Sequence, residues 1–421
     1  MERNRKTVGE LGGVMERRRH MQEKQLENAF ERRIDRRGFL TRTAGAGFAV
    51  SGLGTLLAAC GGDDEPSGAG GATGGTGGGE RATVRWISPR GTLDVMDDYN
   101  LWVPIEQGYF DELNIDVELI AGPGGNATAS ATFVAQNQAD MGYPSPGVLT
   151  SSIDGGVPVK SAWEMISGQV FNFSLPEDSD ITEVTQLEGK TMSVLTAGWK
   201  VIVDPILVEV GVDPESIKYL ESGPQWNQVV SQGRADAGLA WEGLRAQLAG
   251  QGLKLKYLLG SEFSEGPSNS YVVRSADLDD EGQRDVFARF FKGVVMGMTF
   301  AKTNPQAAAQ ITYRKLPDLA ATLEPQLALE SMIELATAYG TTEREGNGFG
   351  YHPVDAWENY IKNIADLGQI KNVLPVDDVV TNDFVGPANS EADVDRARSD
   401  AEAFELDDDF SQTTVPEGTN I

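Results

Sequence analysis

The sequence has little of the chemistry on which most metal and redox sites depend. Its 421 residues include one cysteine, Cys60, and two histidines, His20 and His352. A lone thiol excludes an intramolecular disulfide, a cysteine-based zinc cluster and a redox dithiol. A Ser-His-Asp constellation would depend wholly on His352, and no strained nucleophile motif surrounds that residue. We therefore expect a protein that is not an enzyme, with no catalytic residue, no metal site and no cofactor.

Basic residues are scarce beyond the first 59 positions. The formal charge of the whole chain is −28. Residues 1–59 hold 12 Lys/Arg and 7 Asp/Glu, so the rest of the chain carries 23 basic and 56 acidic residues. A body this acidic is repelled by nucleic acid and by anionic lipid headgroups. We therefore exclude a nucleic-acid partner and expect contact with a membrane through a covalent anchor only.

No stretch of the sequence has the length and apolarity of a transmembrane helix, which needs about 20 strongly apolar residues. The nearest candidate, 43–59, lacks charge but is short and rich in glycine and alanine. It stands between an arginine pair, Arg36-Arg37, and the tetrapeptide Leu57-Ala58-Ala59-Cys60. A basic head, a short apolar segment and a small-residue site in this order are typical of a secretory signal.

The arginine pair resembles a twin-arginine export signal, because Arg36-Arg37-Gly38-Phe39-Leu40 matches the pattern Ser/Thr-Arg-Arg-x-Phe-Leu except that Asp35 stands in place of Ser/Thr. The tetrapeptide ending at Cys60 resembles a lipobox, in which cleavage leaves the cysteine as the acylated first residue. A second pair, Arg32-Arg33, shows that paired arginines alone say little, and the ordered combination carries the prediction. We predict a signal peptide over 1–59 and an exported lipoprotein, anchored through Cys60 on the outer face of the cytoplasmic membrane.

The segment 60–80 joins the predicted anchor to the rest of the chain. Its glycine-rich composition cannot bury a core, which predicts a flexible tether. A random coil of about 20 such residues spans on the order of 25 Å root-mean-square. Such a tether would hold a globular body near the membrane and leave it free to turn.

From Arg81 onward, short apolar strands alternate with helical segments. Strands are predicted over 82–87, 115–120, 139–143, 157–163, 191–195, 217–220 and 235–241. Repeating strand–helix units of this length predict an α/β fold whose mostly parallel sheets are flanked by helices. Farther along, Phe287, Phe290, Phe291 and Val294 are spaced as one apolar helix face. Residues 391–421 hold ten acidic and two basic residues, which predicts a loosely packed acidic tail.

Several segments match one protein family in the family's own order. The most specific match is Gln107-Gly108-Tyr109-Phe110-Asp111-Glu112-Leu113-Asn114-Ile115-Asp116-Val117-Glu118-Leu119. Others are Ala139-Asp140-Met141-Gly142, Leu187-Glu188-Gly189-Lys190-Thr191, Gly211-Val212-Asp213-Pro214, Gly233-Arg234-Ala235-Asp236-Ala237 and Asn304-Pro305-Gln306-Ala307-Ala308. The ordered set, spread over 83–370, resembles the solute-binding proteins of bacterial ABC importers, in the branch that handles nitrate, alkylsulfonates, taurine and thiamine-pyrimidine precursors.

This resemblance implies a two-lobed periplasmic-binding-protein-like fold, in which each lobe is a mostly parallel sheet flanked by helices. Lobe I would comprise 81–172 plus 275–390, and lobe II would comprise 173–274. The ligand cleft would lie between the lobes, beyond the carboxyl ends of the strands, and hinge closure on the ligand would signal occupancy. The resemblance also implies a monomer that works with an ABC permease and ATPase.

Candidate binding residues in lobe I follow its strands. After the first strand come Ser88, Arg90, Asp94 and Asp98, which could form a polar wall of the cleft. The alternative is a solvated loop followed by a helix N-cap at Asp98 or its neighbour Asp97. After the third strand, Tyr143 could stack on a planar ligand beside Ser145, or it could be a loop aromatic that covers the core.

Candidate residues in lobe II lie at equivalent positions. Thr196 and Trp199 open a helix, whose free backbone N–H groups suit an anionic or carbonyl-bearing ligand, and the alternative is a plain helix start. Trp241 and Glu242 close a small-residue strand that faces the same opening, and Glu242 could accept hydrogen bonds from an amine or amide. The run Gly122-Pro123-Gly124-Gly125 favours a tight strand-to-helix turn over a phosphate loop.

The candidate residues favour a small organic solute, pyrimidine-type or amine-bearing. Asp94, Asp98 and Glu242 outnumber Arg90, so the cleft is expected to prefer a neutral or cationic ligand. The alternatives are a sulfonate or nitrate-type anion in the same fold, a pyrimidine-precursor enzyme, or a ligand-sensing ectodomain. The related pyrimidine synthases use a cysteine-rich segment, which this sequence lacks beyond Cys60.

Overall fold

The computed structural model describes residues 79–123 and 129–421 of the protein. All of these residues belong to one unit of the chain, Thr73–Ile421. The predicted signal peptide with Arg36 and Arg37, the lipidation site Cys60 and the tether up to residue 78 lie outside the described residues. The predicted glycine turn is described only as far as Pro123.

Within the described residues, ten strands form two five-stranded sheets. The strands are β1 (Ala82–Ile87), β2 (Ile115–Ile120), β3 (Met141–Gly142), β4 (Val159–Glu164), β5 (Phe171–Pro176), β6 (Thr191–Val194), β7 (Lys218–Glu221), β8 (Ala237–Trp241), β9 (Leu255–Leu258) and β10 (Ser270–Arg274). The first sheet has the order β2-β1-β3-β10-β4, and the second has the order β7-β6-β8-β5-β9.

Each sheet is mixed, with four strands in one direction and one strand against them. In the first sheet β1 is parallel to β2 and β3, whereas β10 is antiparallel to β3 and β4. In the second sheet β6 is parallel to β7 and β8, whereas β5 is antiparallel to β8 and β9. The predicted two-lobed α/β fold is confirmed. The reversed strands are β10 and β5, and each is the first strand that the chain forms after crossing from the other sheet. Each therefore begins at the edge of the sheet where the neighbouring strands end.

The chain passes between the sheets twice, in the connections 165–170 and 259–269. We call residues 79–164 and 270–421 the first lobe and residues 171–258 the second lobe. The division proposed from the sequence differs, because it assigns residues up to 274 to the second lobe although β10 pairs in the first sheet. A strand's composition does not reveal which of two sheets it joins, so the apolar pattern alone does not locate such a crossing.

Helices cover the sheets and make up most of the chain after β10. The α-helices of the described residues are α1 (Tyr99–Glu106), α2 (Tyr109–Glu112), α3 (Ala129–Ala135), α4 (Pro146–Asp154), α5 (Lys200–Glu209), α6 (Trp226–Ser231), α7 (Leu244–Gly250), α8 (Glu281–Thr303), α9 (Pro305–Lys315), α10 (Pro317–Ala320), α11 (Pro325–Tyr339), α12 (Thr341–Arg344), α13 (Val354–Asp366), α14 (Val376–Val379), α15 (Val385–Glu391) and α16 (Val394–Ala403). Among the described residues, no helix combines the length and apolarity needed to cross a membrane.

The longest helix, α8, confirms the predicted apolar face. Phe287, Phe290, Phe291 and Val294 are all fully buried, because their spacing places them on one side of the helix. The Asp280 side chain accepts the backbone N–H of Gln283 and caps the helix N-terminus. These aromatic side chains belong to the large core of the first lobe. A separate core under β6 and β8 fills the second lobe.

The predicted loosely packed tail is wrong. Residues 394–403 form α16, which packs on α8, and Ala397 and Ala401 on it are fully buried. Phe410 is also buried, with its ring centroid 5.4 Å from that of Tyr313. The Arg314 guanidinium neutralises part of the acidic run through Asp407 and Asp409. A few apolar anchors spaced among many charges are enough to hold the segment, although its average composition is typical of a solvated tail.

Candidate functional site

A cleft of about 350 Å³ lies between the two lobes, beyond the carboxyl ends of β1, β3 and β8. This is the position at which open α/β sheets place their ligands. The first lobe and the connections contribute Pro89, Arg90, Gly91, Thr92, Val95, Asp97, Tyr143, Ser145, Ile166, Val170, Asn269, Leu335 and Tyr339. The second lobe contributes Phe171, Leu195, Trp199, Ile202, Trp226, Leu239, Trp241, Leu244 and Gln247.

Half of the ten predicted binding residues line this cleft. Those that do are Arg90, Tyr143, Ser145, Trp199 and Trp241. The other five are Ser88, Asp94, Asp98, Thr196 and Glu242, which occupy supporting positions around the cleft rather than its wall. Each of these five residues either forms hydrogen bonds within the protein or lies next to a residue that lines the cleft. Their direct contact with a ligand, which the sequence predicts, remains a prediction.

Ser88 and Asp94 shape the loop that carries Arg90. Ser88 is fully buried, and its Oγ accepts the backbone N–H of Arg90 at 3.1 Å. The Asp94 carboxylate accepts the Thr92 hydroxyl at 3.0 Å, and the backbone N–H of Asp94 donates to Thr92 Oγ1 at 2.9 Å. Asp94 therefore closes a local turn instead of entering the cleft. The Asp94 carboxylate, predicted from the sequence to contact the ligand, is instead hydrogen-bonded to a side chain two residues away.

Arg90 lies between two buried aspartates. Its Nη2 is 2.7 and 2.6 Å from the two carboxylate oxygens of Asp98, and its Nη1 is 3.1 Å from Asp97 Oδ2. Asp97 and Asp98 are 3% and 1% exposed, and neither makes a side-chain cap, so the alternative of a solvated N-cap is wrong. Burial raises the pKa of Asp97 to about 6, while the Arg90 guanidinium acts to lower it. Asp97 Oδ1 is buried beside the cleft without a well-aligned hydrogen bond among the described residues, although the Trp241 side chain lies close enough to this carboxylate to act to lower its pKa.

Two tyrosines extend this polar wall. The Tyr339 hydroxyl donates to the backbone oxygen of Asp97 at 3.0 Å and lies 3.3 Å from the Tyr143 hydroxyl. The Tyr339 ring also stacks on Tyr99, with centroids 5.6 Å apart. Burial raises the pKa of both cleft tyrosines, so both stay protonated near neutral pH. Tyr339 is absent from the sequence prediction, because it ends a helix whose apolar spacing indicates only a core position.

The opposite wall is a cluster of three tryptophans. The Trp226 and Trp241 rings are nearly parallel, with centroids 6.1 Å apart and an angle of 17°. The Trp199 ring stands almost perpendicular to both, 5.2 Å from Trp226 and 6.2 Å from Trp241. The Trp226 indole N–H donates to the backbone oxygen of Leu239 at 2.6 Å, which fixes the ring against the end of β8. Trp226 is absent from the sequence prediction, because it shares its spacing with Val229 and Val230 and so indicates only the apolar face of a helix.

The remaining two predicted residues of the second lobe are neighbours of this cluster. Thr196 precedes the turn that leads into α5, and its backbone oxygen accepts the N–H of Trp199 at 3.1 Å. Glu242 is buried and accepts from Asn172 Nδ2 at 3.0 Å and from Arg245 Nη2 at 2.7 Å. Glu242 therefore anchors the end of β8. The spacing of Glu242 and Arg245, three residues apart, is the feature of the sequence that could have indicated this pairing.

Asn269 brings the return connection into the cleft. Its backbone oxygen accepts the N–H groups of Met165 and Ile166 at 3.2 and 3.3 Å, which ties the two connections together. Its Nδ2 donates to the backbone oxygen of Tyr143 at 3.5 Å. Its Oδ1 is buried without a partner among the described residues, as is the hydroxyl of Ser145. Nothing in the local sequence marks Asn269, because it lies in an irregular connection.

His352 takes part in a buried chain of polar side chains outside the cleft. Its Nε2 is 2.7 Å from Ser161 Oγ, and its Nδ1 is 3.1 Å from Asn382 Oδ1. His352 and Ser161 are fully buried, and burial lowers the pKa of His352 to about 4. None of the three residues lines the cleft. In the described part of the chain, no group of three or more His, Cys, Asp or Glu residues could hold a metal ion.

Comparisons with known proteins agree with this architecture. The formylaminopyrimidine-binding protein of Halalkalibacterium halodurans is 24% identical over 285 residues, which are 64% of this chain and 83% of that protein. The alkanesulfonate-binding protein SsuA of Xanthomonas axonopodis pv. citri, solved with bound MOPS, superposes with a TM-score of 0.53 at 12% identity. That match covers 73% of this chain and 98% of the other.

A third comparison involves the ligand-binding component of an ABC-type import system from Staphylococcus aureus, solved with zinc bound. It has a TM-score of 0.53 at 13% identity and covers 74% of this chain and 99% of the other. At these identities the structural matches establish the fold. A family model described as NMT1/THI5 like matches residues 98–308, which is half of the chain. The resemblance found in the sequence is thereby confirmed, and the chain belongs to the NMT1/THI5-like family.

Proposed function

We propose that the protein is the extracytoplasmic solute-binding component of an ABC importer, and that its cleft captures a small planar molecule with N–H donors. One observation carries the proposal: a wall of three tryptophans faces buried oxygen atoms that lack hydrogen-bond partners. The relatives support it, since one is named as a formylaminopyrimidine-binding protein and another as the ligand-binding component of an import system.

The unpartnered atoms define what the solute must supply. Asp97 Oδ1 and Asn269 Oδ1 are acceptors, and each is buried beside the cleft. A buried polar atom without a partner costs about 1–3 kcal/mol, which a ligand N–H group would recover. Aromatic faces add stacking surface for a planar ring, worth about 0.5–1.5 kcal/mol per pair beyond the buried area. Amino-substituted pyrimidines and related aromatic amines combine both properties.

An anionic solute is less well matched to the same site. Among the described residues that line the cleft, Arg90 is the only cation. Both of its terminal nitrogens are bound to carboxylates of Asp97 and Asp98. A sulfonate or nitrate would have to displace one of these carboxylates in a buried setting, where an unpaired charge is strongly unfavourable. We therefore favour the amine-bearing solute over the anion.

The proposal includes export and anchoring. The protein would leave the cytoplasm through the predicted signal 1–59, carry lipid on Cys60, and act as a monomer that delivers its solute to a permease driven by an ATPase. Catalysis is not part of this function, and the His352 chain supports that view because it lies outside the cleft. Replacing Cys60→Ser should release the exported protein from membranes and remove the lipid from its mass spectrum.

A thermal-shift screen tests the binding function. The full chain should be screened against aminopyrimidines, aromatic amines, alkylsulfonates and nitrate, with mass spectrometry of the recovered compounds. We expect the melting temperature to rise with one chemical class, that of the aminopyrimidines and aromatic amines, and the compounds to be recovered unchanged. Product formation from a hit, or hits of unrelated chemistry, would overturn the transport function. Binding of sulfonates alone would retain transport and overturn the proposed solute class.

The variant Asp97→Asn tests the solute class, and Asp94→Asn is its matched control. The Asp97→Asn substitution keeps the shape of the side chain but replaces one acceptor oxygen with a donor and removes the charge. Hits that donate N–H groups to Asp97 should lose about tenfold in affinity, equivalent to about 1.4 kcal/mol. The variant Asp94→Asn, in the same loop but bonded to Thr92, should bind the hits as the parent protein does.

A further inference from the structure

The two lobes meet beside the cleft at a glycine. Gly147 is the second residue of α4 in the first lobe, and the backbone of α5 in the second lobe lies directly against it. A Cβ atom placed on Gly147 would lie 2.6 Å from the carbonyl oxygen of Val201 and 3.0 Å from the hydroxyl of Tyr360. The first distance is well inside van der Waals contact, and the obstacle is backbone. The lobes can approach this closely because the position has no side chain.

Helix formation does not account for a glycine at this position. The backbone of Gly147 is helical rather than left-handed, so any L-residue could adopt its conformation. Glycine is among the poorest helix formers, and leucine or alanine would favour α4. The contact with Val201 is therefore the structural feature that requires glycine here.

The contact between Gly147 and Val201 lies next to residues that line both walls of the cleft. Ser145, two residues before Gly147, lines the cleft from the first lobe. Trp199 and Ile202, on either side of Val201, line it from the second lobe. Any increase in the separation of Gly147 and Val201 moves these walls apart. The tryptophans would then lie farther from the unpartnered oxygen atoms opposite them.

A second contact closes the other side of the cleft. The Gly243 N–H donates to Glu334 Oε2 at 3.0 Å, and the Ser331 hydroxyl donates to the Gly243 oxygen at 2.5 Å. A Cβ on Gly243 would lie 2.2 Å from Leu335 Cδ1. Gly243 also has a left-handed backbone with φ +85°, so its substitution would strain the loop as well as the contact. Gly147 is the cleaner position for a test.

We propose that Gly147 is a positioning residue that sets how far the lobes close and thereby the spacing of the binding walls. A larger side chain at this position would hold the lobes apart without disturbing either sheet. The proposal refers to the closure of the proposed solute-binding cleft, and so it rests on that function for its purpose. The interlobe distance itself can be measured without any solute.

The test compares Gly147→Leu with Gly386→Leu. Gly386 is also the second residue of its helix, α15, and a Cβ there would meet no atom within 4 Å. Spin labels at Glu188→Cys and Asp318→Cys, exposed on the second and first lobes, report the interlobe distance in the full chain carrying Cys60→Ser. We expect Gly147→Leu to displace the distance distribution of the labelled parent, and Gly386→Leu to leave it unchanged.

Two further measurements show whether a changed distance results from altered lobe closure or from misfolding. They also keep this result independent of which solute the protein binds. Circular dichroism and the melting temperature of Gly147→Leu should match those of the labelled parent, which would show that both lobes are folded. A distance distribution for folded Gly147→Leu equal to that of the parent would overturn the proposal. Failure of every compound in the thermal-shift screen would count against the proposed function and leave the distance result intact.

Discussion

The Glu334 carboxylate of the first lobe accepts the backbone N–H of Gly243 in the second lobe, with 3.0 Å between Oε2 and the nitrogen. The other carboxylate oxygen lies 3.7 Å from Arg245 Nη1, and Arg245 also pairs with Glu242. Burial raises the pKa of Glu334 to about 7, while Arg245 acts to lower it. One contact between the lobes therefore changes its charge near neutral pH.

We predict that Glu334→Gln reduces the pH dependence of stability. A carboxyl whose pKa is about 7 in the folded state and 4.5 when unfolded stabilises the fold below pH 4.5, and this contribution is lost as the pH rises through 7. Glutamine cannot ionise, so the variant should lose less stability between pH 5 and pH 8, by an amount on the order of 3 kcal/mol at most. Urea unfolding at both pH values measures the difference.

The control for this prediction is Glu330→Gln on the same helix, where the carboxylate accepts from Gln326 rather than from the second lobe. The unfolding free energy of this control should follow the pH dependence of the parent protein. Equal pH dependence in Glu334→Gln and the parent would show that Glu334 does not titrate in the contact between the lobes.

A second prediction concerns the ion pairs around Arg90. Replacing Arg90→Met leaves Asp97 and Asp98 buried beside each other without a cation. Breaking a buried pair by removing one partner typically costs about 3–5 kcal/mol, because a buried charge is left uncompensated. We expect the free energy of unfolding at pH 8 to fall by about this amount, measured by urea denaturation. At pH 5 the loss should be smaller, because Asp97 takes up a proton: its pKa is about 6 in the parent protein, where Arg90 acts to lower it, and removing Arg90 raises it further.

The exposed ion pair of Arg81 provides the comparison. Arg81 binds Asp111 and Asp116, and its side chain is 50% exposed. Solvent screening leaves such surface pairs with little effect on stability, so Arg81→Met should unfold as the parent does. A similar small effect for Arg90→Met would mean that water reaches the aspartates and that the cleft is not a low-dielectric site.

Ligands of open α/β sheets bind beyond the carboxyl ends of the strands, and this rule explains which cleft residues the sequence could predict. Arg90, Tyr143 and Trp241 follow strands whose carboxyl ends converge at one edge of a sheet, and they line the cleft. Trp226 and Tyr339 come from helix ends, and their place in the cleft depends on how the two lobes close. A local pattern carries no information on closure, so these residues were accessible only from the three-dimensional structure.

The acidic candidates show a different limit. Asp94 and Glu242 have the residue type that a cleft for amines requires, but each is bound by a partner nearby in the chain, Thr92 and Arg245. Asp97, one residue from the predicted Asp98, instead has the unpartnered oxygen. Residue type and approximate position are therefore predictable, whereas the choice among neighbouring carboxylates depends on side-chain pairing in the folded chain.

A third prediction addresses the tryptophan wall. For a solute identified by the thermal-shift screen, Trp226→Leu should weaken binding about tenfold, because a stacking surface worth about 1.4 kcal/mol is removed. Binding is measured by titration calorimetry. The control is Trp102→Leu, since Trp102 lies on α1 and does not line the cleft. Equal losses in both variants would indicate a general effect on folding rather than contact with the solute.

The final prediction tests the packing of the acidic C-terminal segment. Phe410 is fully buried against Tyr313, and Gln306 Nε2 donates to its backbone oxygen at 3.2 Å. Replacing Phe410→Ala should lower the free energy of unfolding by about 3–5 kcal/mol, as is typical when a buried phenylalanine is truncated. Val373→Ala is the control, because Val373 is 62% exposed and its truncation should change little. If Phe410→Ala and Val373→Ala unfold alike, the segment does not belong to the cooperative core, and composition alone would have described it correctly.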